Sequence, residues 1–131
     1  MKEQVKHENV GPGPAIIAWE GDSKELLTDF PEEVKKTLGF SLRQIQNGKR
    51  PRCDCRPMDV VGPGVWELKE ADHRTWYRVM YLTVIRNVIQ VLHCFEKDSR
   101  KTDQRDIEIA KSRLSKVRQR LREERTKKPA Q

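Results

Sequence analysis

The sequence predicts an α+β domain: two N-terminal helices packed on an antiparallel sheet of about four strands, with a long basic helix closing the chain. Three observations carry that expectation. Apolar residues recur at helical spacing between positions 26 and 45. Three alternating apolar segments then follow one another between 65 and 95, separated by short breaks. Helical spacing returns from 107 to 121 among many Lys and Arg. At 131 residues the chain is long enough for one domain with a modest core. Residues 1–14 read as a flexible arm, and 15–131 as a single domain that includes the basic helix over 103–125.

The polar start ends in Gly11-Pro12-Gly13-Pro14, a loop-forming string. Ala15-Ile16-Ile17-Ala18-Trp19 is a short apolar run bounded by turn residues, as a buried strand would be. Asp22 and Ser23 are N-cap types, and Glu25, Leu26, Leu27 and Phe30 open a short helix behind them. Pro31 suits the first position of a second helix, and Glu32 and Glu33 suit the positive end of its dipole. Val34, Leu38, Leu42 and Ile45 make one apolar stripe, with Gly48 as its terminator. The stretch 49–64, which contains Pro51, Pro57 and Pro63, reads as loop. Segments 65–70, 76–84 and 88–95 alternate, and the breaks at 71–75 and at Arg86-Asn87 suit antiparallel hairpins. Ile107, Ala110, Leu114, Val117 and Leu121 lie 3, 4, 3 and 4 apart. That seam of about two heptads could pack on the sheet, on a second copy of the chain or on a partner.

Charge narrows the function classes. The chain carries 27 Lys and Arg against 20 Asp and Glu, a net +7. Residues 1–98 hold 15 of each sign, whereas 99–131 hold 12 basic and 5 acidic residues, so the whole excess lies in the last quarter. Such a field attracts phosphate chains or an acidic protein before any specific contact forms. It also keeps an ordinary solvated helix soluble, and composition serves both readings equally. No apolar run approaches the roughly 18 residues of a membrane span. The first seven residues begin no apolar leader, so a cytoplasmic protein with no membrane partner is expected. Three cysteines in such a chain speak against a disulfide framework.

Few residues offer chemistry. Neither Gly-Pro cluster precedes a GK[ST] pattern, so neither is a phosphate loop. Cys53-Asp54-Cys55 lacks the second cysteine pair of a structural zinc site, and no metal or other cofactor is expected. His93 lies near the end of the third alternating segment, on the face of Val91 and Phe95 if the alternation is regular. A histidine among apolar residues is ordinarily a satisfied core side chain, but its position at a strand end and its pKa also suit proton transfer. Arg78 interrupts an apolar strand, on the face of Trp76, Met80 and Leu82. Buried alone it would be costly, so it needs either a carboxylate, for which Glu67 or Glu70 on the neighbouring strand would serve, or a bound phosphodiester. Cations on a sheet rim can support RNA cleavage without a metal, because the 2′-hydroxyl of the substrate is itself the nucleophile.

A series of local words adds to this. Ile17-Ala18-Trp19-Glu20-Gly21-Asp22-Ser23 with Leu26 and Phe30-Pro31, then Leu38-Gly39, Leu42 and Gln46-Asn47-Gly48, come first. Val65-Trp66-Glu67-Leu68-Lys69 and Tyr77-Arg78-Val79-Met80-Tyr81 follow, then Val91-Leu92-His93-Cys94-Phe95-Glu96-Lys97 and Lys101-Thr102. Asp106-Ile107-Glu108, Ala110 and Arg113 complete the series. In this order the words resemble the phage-derived HigB-like branch of the RelE/ParE toxin superfamily, over roughly residues 16–114. The resemblance implies a toxin of a type II toxin–antitoxin pair, acting as a ribosome-dependent endoribonuclease that cuts messenger RNA and inhibits translation. Its implied partners are a cognate helix-turn-helix antitoxin, the ribosome and mRNA, with a second copy of the chain as a further candidate.

By position, the resemblance matches Arg78 to the arginine that binds the scissile phosphate, Lys69 and Lys97 to basic residues on the preceding strand and after the last one, and His93 to the Leu-His word. In a nuclease, Lys69 and Lys97 would neutralise the developing negative charge and His93 would move a proton. RNA docking then falls to Arg74, Arg100, Lys101, Arg113, Lys116 and Arg120. Two positions depart from the ribonuclease pattern. Glu67 stands where those members carry a basic residue, and Asp98 stands where a second lysine is expected. The alternative is a non-enzymatic toxin that binds a protein such as gyrase, or a nucleic-acid-binding module without catalysis.

Overall fold

The apolar stripe of residues 34–45 folds as predicted, and its end shows why it stops there. In a computed structural model, which describes residues 13–98 and 103–127, helix α2 spans Glu32–Gln46. Val34, Leu38, Leu42 and Ile45 are all buried along it. Gly48 takes a left-handed φ of 72°. Its amide donates to the Ile45 carbonyl at 3.0 Å, and that of Lys49 donates to Gln44 at 2.8 Å. This is the Schellman arrangement, and the absent Cβ is what permits it. Pro31 sits at the cap position rather than one residue inside the helix. The expected arm over 1–14 falls, for residues 1–12, outside the described part.

The remaining elements are β1 (Ile16–Trp19), α1 (Ser23–Thr28), β2 (Asp54–Pro57), β3 (Val65–Ala71), β4 (Trp76–Ile85), β5 (Val88–Lys97) and α3 (Gln104–Lys127). Among the described residues the sheet has five strands in the order β1-β5-β4-β3-β2. Two features correct the sequence reading. β1 runs parallel to β5, so the sheet is mixed rather than antiparallel. β2 adds an edge strand within the stretch read as loop. Pro51 before it and Pro57 at its end mask it, yet Pro57 is tolerated because it ends a strand at the sheet edge.

The chain builds three layers. α1 and α2 cover one face, where Leu27, Phe30, Val34, Leu38, Leu42 and Ile45 meet Leu68, Tyr77, Val79, Tyr81, Val91 and Cys94. α3 covers the other, where Ile107, Ala110, Leu114 and Val117 meet Val65, Met80, Leu82, Leu92 and Phe95. The heptad-like seam therefore packs on the chain's own sheet. β4 and β5 join through Arg86 and Asn87, both in left-handed conformation with φ of 54° and 64°. A two-residue hairpin of this kind matches the strand twist. Arginine is an unusual choice there, and its guanidinium reaches α3, donating to Glu124 Oε2 at 3.1 Å.

A bulge overturns one expectation about His93. Met80 pairs with His93 but Tyr81 pairs with Val91, which leaves Leu92 as an extra residue. The insertion turns Leu92 to the α3 side with Phe95, while Val91 and Cys94 face α1 and α2. His93 therefore does not share a face with Val91, as regular alternation would require. It points to α3 beside Leu92 and Phe95.

Candidate functional site

Strand register gathers the predicted catalytic residues. Across β2, β3, β4 and β5, Asp54, Lys69, Arg78 and Phe95 form one row. Arg56, Glu67, Met80 and His93 form the next. Trp76 pairs with Lys97 at the far end. Directly opposed residues in antiparallel strands project to the same side. Lys69, Arg78, His93 and Lys97 thus lie on the sheet face that α3 partly covers.

Their environments differ from those the sequence suggested. Arg78 is fully buried, and its Nη1 donates to Glu67 Oε1 at 3.0 Å; Glu67 is fully buried too. Of the two carboxylates considered, Glu67 is the partner and Glu70 is not. Arg56, whose side chain is 49% exposed, donates through Nε to the same oxygen at 3.1 Å. One carboxylate thus holds two arginines, one beneath the surface and one at it. Truncating Arg78 would leave the buried Glu67 carboxylate with less compensation, so Arg78→Ala is expected to destabilise the fold. Glu67 Oε2 is buried with no hydrogen-bond partner among the described residues. Glu67, Arg56, Lys69, Asp54 and Cys55 line a pocket of about 240 Å3. Lys69 rests its ammonium 4.8 Å from the centre of the Trp76 ring.

His93 is held for a different purpose. Its Nε2 lies 2.9 Å from Asp106 Oδ1 on the first turn of α3, and its ring stacks on Phe95 with centroids 5.0 Å apart. With that carboxylate accepting from Nε2, Nδ1 accepts from Arg113 Nη1 at 3.5 Å. Burial lowers the imidazole pKa from its ordinary value, and Asp106 opposes the shift. Arg113 also donates to the Leu92 carbonyl at 3.0 Å and to Asp22 Oδ1 at 2.8 Å. The guanidinium holds the Asp22 carboxyl below its usual range. Asp22 is the N-cap residue of α1, as the sequence reads, but its side chain makes no cap bond and anchors Arg113 instead. Gly21 makes room for this clasp: its φ is 54°, and a Cβ there would lie 2.5 Å from the guanidinium carbon of Arg113.

The other candidates sort by exposure. Lys97 is paired with Asp103 just before α3. Arg113 is tied inward, which removes it as a free docking cation. Arg120 pairs with Glu20 at 2.8 Å while its side chain stays 51% exposed. Arg74 and Lys116 are exposed. Arg100 and Lys101 lie outside the described residues. Cys53 Sγ lies 3.0 Å from Ser41 Oγ and Cys55 Sγ lies 3.4 Å from the Tyr81 hydroxyl. Burial pushes the Cys55 thiol up to about 11, so it is not a ready nucleophile. Among the described residues, no three His, Cys, Asp or Glu side chains group as a metal site.

Arg56 escapes the sequence reading, which makes 49–64 a loop. The signal was present in the alternation of Cys53 and Cys55 with Asp54 and Arg56.

A mixed sheet with helices at its N-terminal end and a long C-terminal helix is consistent with the RelE-like fold. A profile of the phage-derived Gp49-like proteins (DUF891) matches residues 25–115. The chain belongs to this family, which is associated with toxin–antitoxin systems as RelE-like toxins, and membership implies an antitoxin partner. No curated protein matches the sequence. No helix among the described residues is long and apolar enough to cross a membrane.

Proposed function

We propose that this chain is the toxin of a type II toxin–antitoxin pair and that it cleaves messenger RNA in the ribosome, in the manner of the HigB-like branch. The observation that carries the reading is the shared sheet face of Lys69, Arg78, His93 and Lys97, with Arg56 beside them. In metal-independent cleavage the 2′-oxygen attacks the adjacent phosphorus, the 5′-oxygen leaves and a 2′,3′-cyclic phosphate remains. The protein must place the phosphate, neutralise the phosphorane and move two protons. Lys69 and Arg56 both border the small pocket on this face. Arg78 acts from below by fixing Glu67, and Glu67 fixes Arg56. His93 positions α3 through Asp106, so proton transfer by His93 requires that contact to open.

A second reading has its own support. Arg78, His93 and Lys97 are engaged by Glu67, Asp106 and Asp103, an arrangement that suits a toxin acting by surface binding without catalysis. The test is induction of wild type and of Lys69→Ala in a bacterial host, with message 5′ ends mapped at codon resolution. Lys69 is chosen because its loss leaves the buried Arg78–Glu67 pair intact. In-frame cuts by the wild type that weaken at least about tenfold in the variant support the nuclease. Growth arrest by both without cuts moves the target elsewhere.

A further inference from the structure

An open groove of about 750 Å3 lies between the outer face of α2 and the ends of β2 and β3. Lys36 and Phe40, one helical turn apart, form one wall, and Arg52, Lys69 and Trp76 stand on the other side. Its volume falls within the roughly 300–1,000 Å3 range of ligand clefts. Two acids, Asp54 and Glu70, also line it, so three cations face two carboxylates. Phe40 is 49% exposed, an aromatic ring left open on a helix whose neighbouring outward positions are polar.

Lys69 and Asp54 line both this groove and the small pocket that holds Arg56 and Glu67. The two depressions therefore meet at Lys69, where the edge of the sheet turns from the α2 side to the α3 side. A positive track with aromatic rings along it is what single-stranded nucleic acid requires: cations follow the phosphates and rings stack bases without reading sequence. An acidic peptide would use the same cations, but the pairing of cations with an open ring matches the alternation of phosphate and flat base along a single strand.

We propose that this groove is a subsite for the single-stranded RNA that flanks the scissile bond. One base stacks on Phe40, its phosphates lie against Lys36 and Arg52, and the strand turns at Lys69 onto the sheet face. The inference rests on the nuclease reading for the direction of the strand, but binding at the groove does not require cleavage.

The experiment measures anisotropy of a short labelled 2′-O-methyl oligoribonucleotide, which cannot be cut, with the full chain over a series of salt concentrations. Phe40→Ala is expected to weaken binding roughly fivefold to a hundredfold, the range of one base–aromatic stack. Arg52→Ala is expected to lower the slope of log K against log salt by about 0.7, one phosphate contact on a single strand. Circular dichroism and melting check that both variants fold, and the exposure of both side chains makes folding the expected result. The proposal stands if both effects appear. It falls if the wild type does not bind, or if either folded variant binds with unchanged affinity and slope. Binding by the wild type without cuts in the host would overturn the nuclease and leave the groove. Cuts by the wild type with Phe40→Ala binding normally would overturn the groove and leave the nuclease.

Discussion

At the scale of single residues, Glu67 organises the candidate site. Its Oε1 accepts from Arg78 at 3.0 Å and from Arg56 at 3.1 Å, so one buried carboxylate links the interior to the surface. Removing one partner of a buried ion pair typically costs about 3–5 kcal/mol, because the other charge stays desolvated. Arg78→Ala is expected near the low end, about 3 kcal/mol, since Arg56 still bonds Glu67. Urea unfolding at neutral pH measures it. The double substitution Arg78→Met with Glu67→Leu is expected to recover most of the loss, as apolar replacements of whole buried pairs do. An Arg78→Ala protein as stable as the wild type would show that the pair contributes little to holding the sheet.

At the scale of elements, α3 is the most informative. Its charge suggests a solvated arm, yet Ala110 and Val117 are fully buried and Ile107 and Leu114 nearly so. They cover Met80, Leu82, Leu92 and Phe95, and Leu114 also lies against Gly62. Polar ties run along both flanks: Arg113 to Asp22, Arg120 to Glu20, Arg118 to the Pro63 carbonyl and Arg86 to Glu124. Truncation after Ile109 therefore strips a face of the core as well as a basic surface. We expect such a protein to lose its cooperative thermal transition by circular dichroism, whereas truncation after Arg122 keeps one. Activity lost on the longer truncation would then report unfolding rather than loss of RNA docking. A cooperative melt retained after Ile109 would contradict the layer assignment.

For the whole molecule, stability is linked to pH through the clasp that joins β5, α1 and α3. His93 binds its proton less readily in the folded chain than unfolded, because burial outweighs Asp106. The unfolded chain therefore protonates first as the pH falls through about 6.5, and folding stability declines until the lowered native value is passed. Asp22 is also shifted down, so its contribution is present above its ordinary 3.8 and is lost as pH falls through the native value. The melting temperature is expected to fall from pH 7 to pH 5. His93→Gln, which keeps a donor for Asp106 but does not titrate, should flatten that decline. Parallel curves for the two proteins would remove His93 from the linkage.

Local rules made most of the fold legible. Helical spacing located α2 and α3, alternation located β3, β4 and β5, and Gly48 marked the end of α2, because each depends on neighbours within a few residues. The family words placed Lys69, Arg78, His93 and Lys97 as candidates, and strand register brought them to one face. Other features depended on distant partners. β2 was obscured because its alternation is only four residues long and lies between Pro51 and Pro57, and pairing with β3 is what holds Asp54–Pro57 extended. The bulge at Leu92 reversed the face of Val91 relative to His93, and one extra residue in a strand carries no composition signal. The sequence by itself determined every described element but β2, their order and the charge of the last helix, since these follow from periodicity and residue type. Only the tertiary structure decided that Arg78 is closed on Glu67, that His93 faces Asp106, and that the basic helix is a core layer. Burial and pairing are set by side chains brought together from far along the chain.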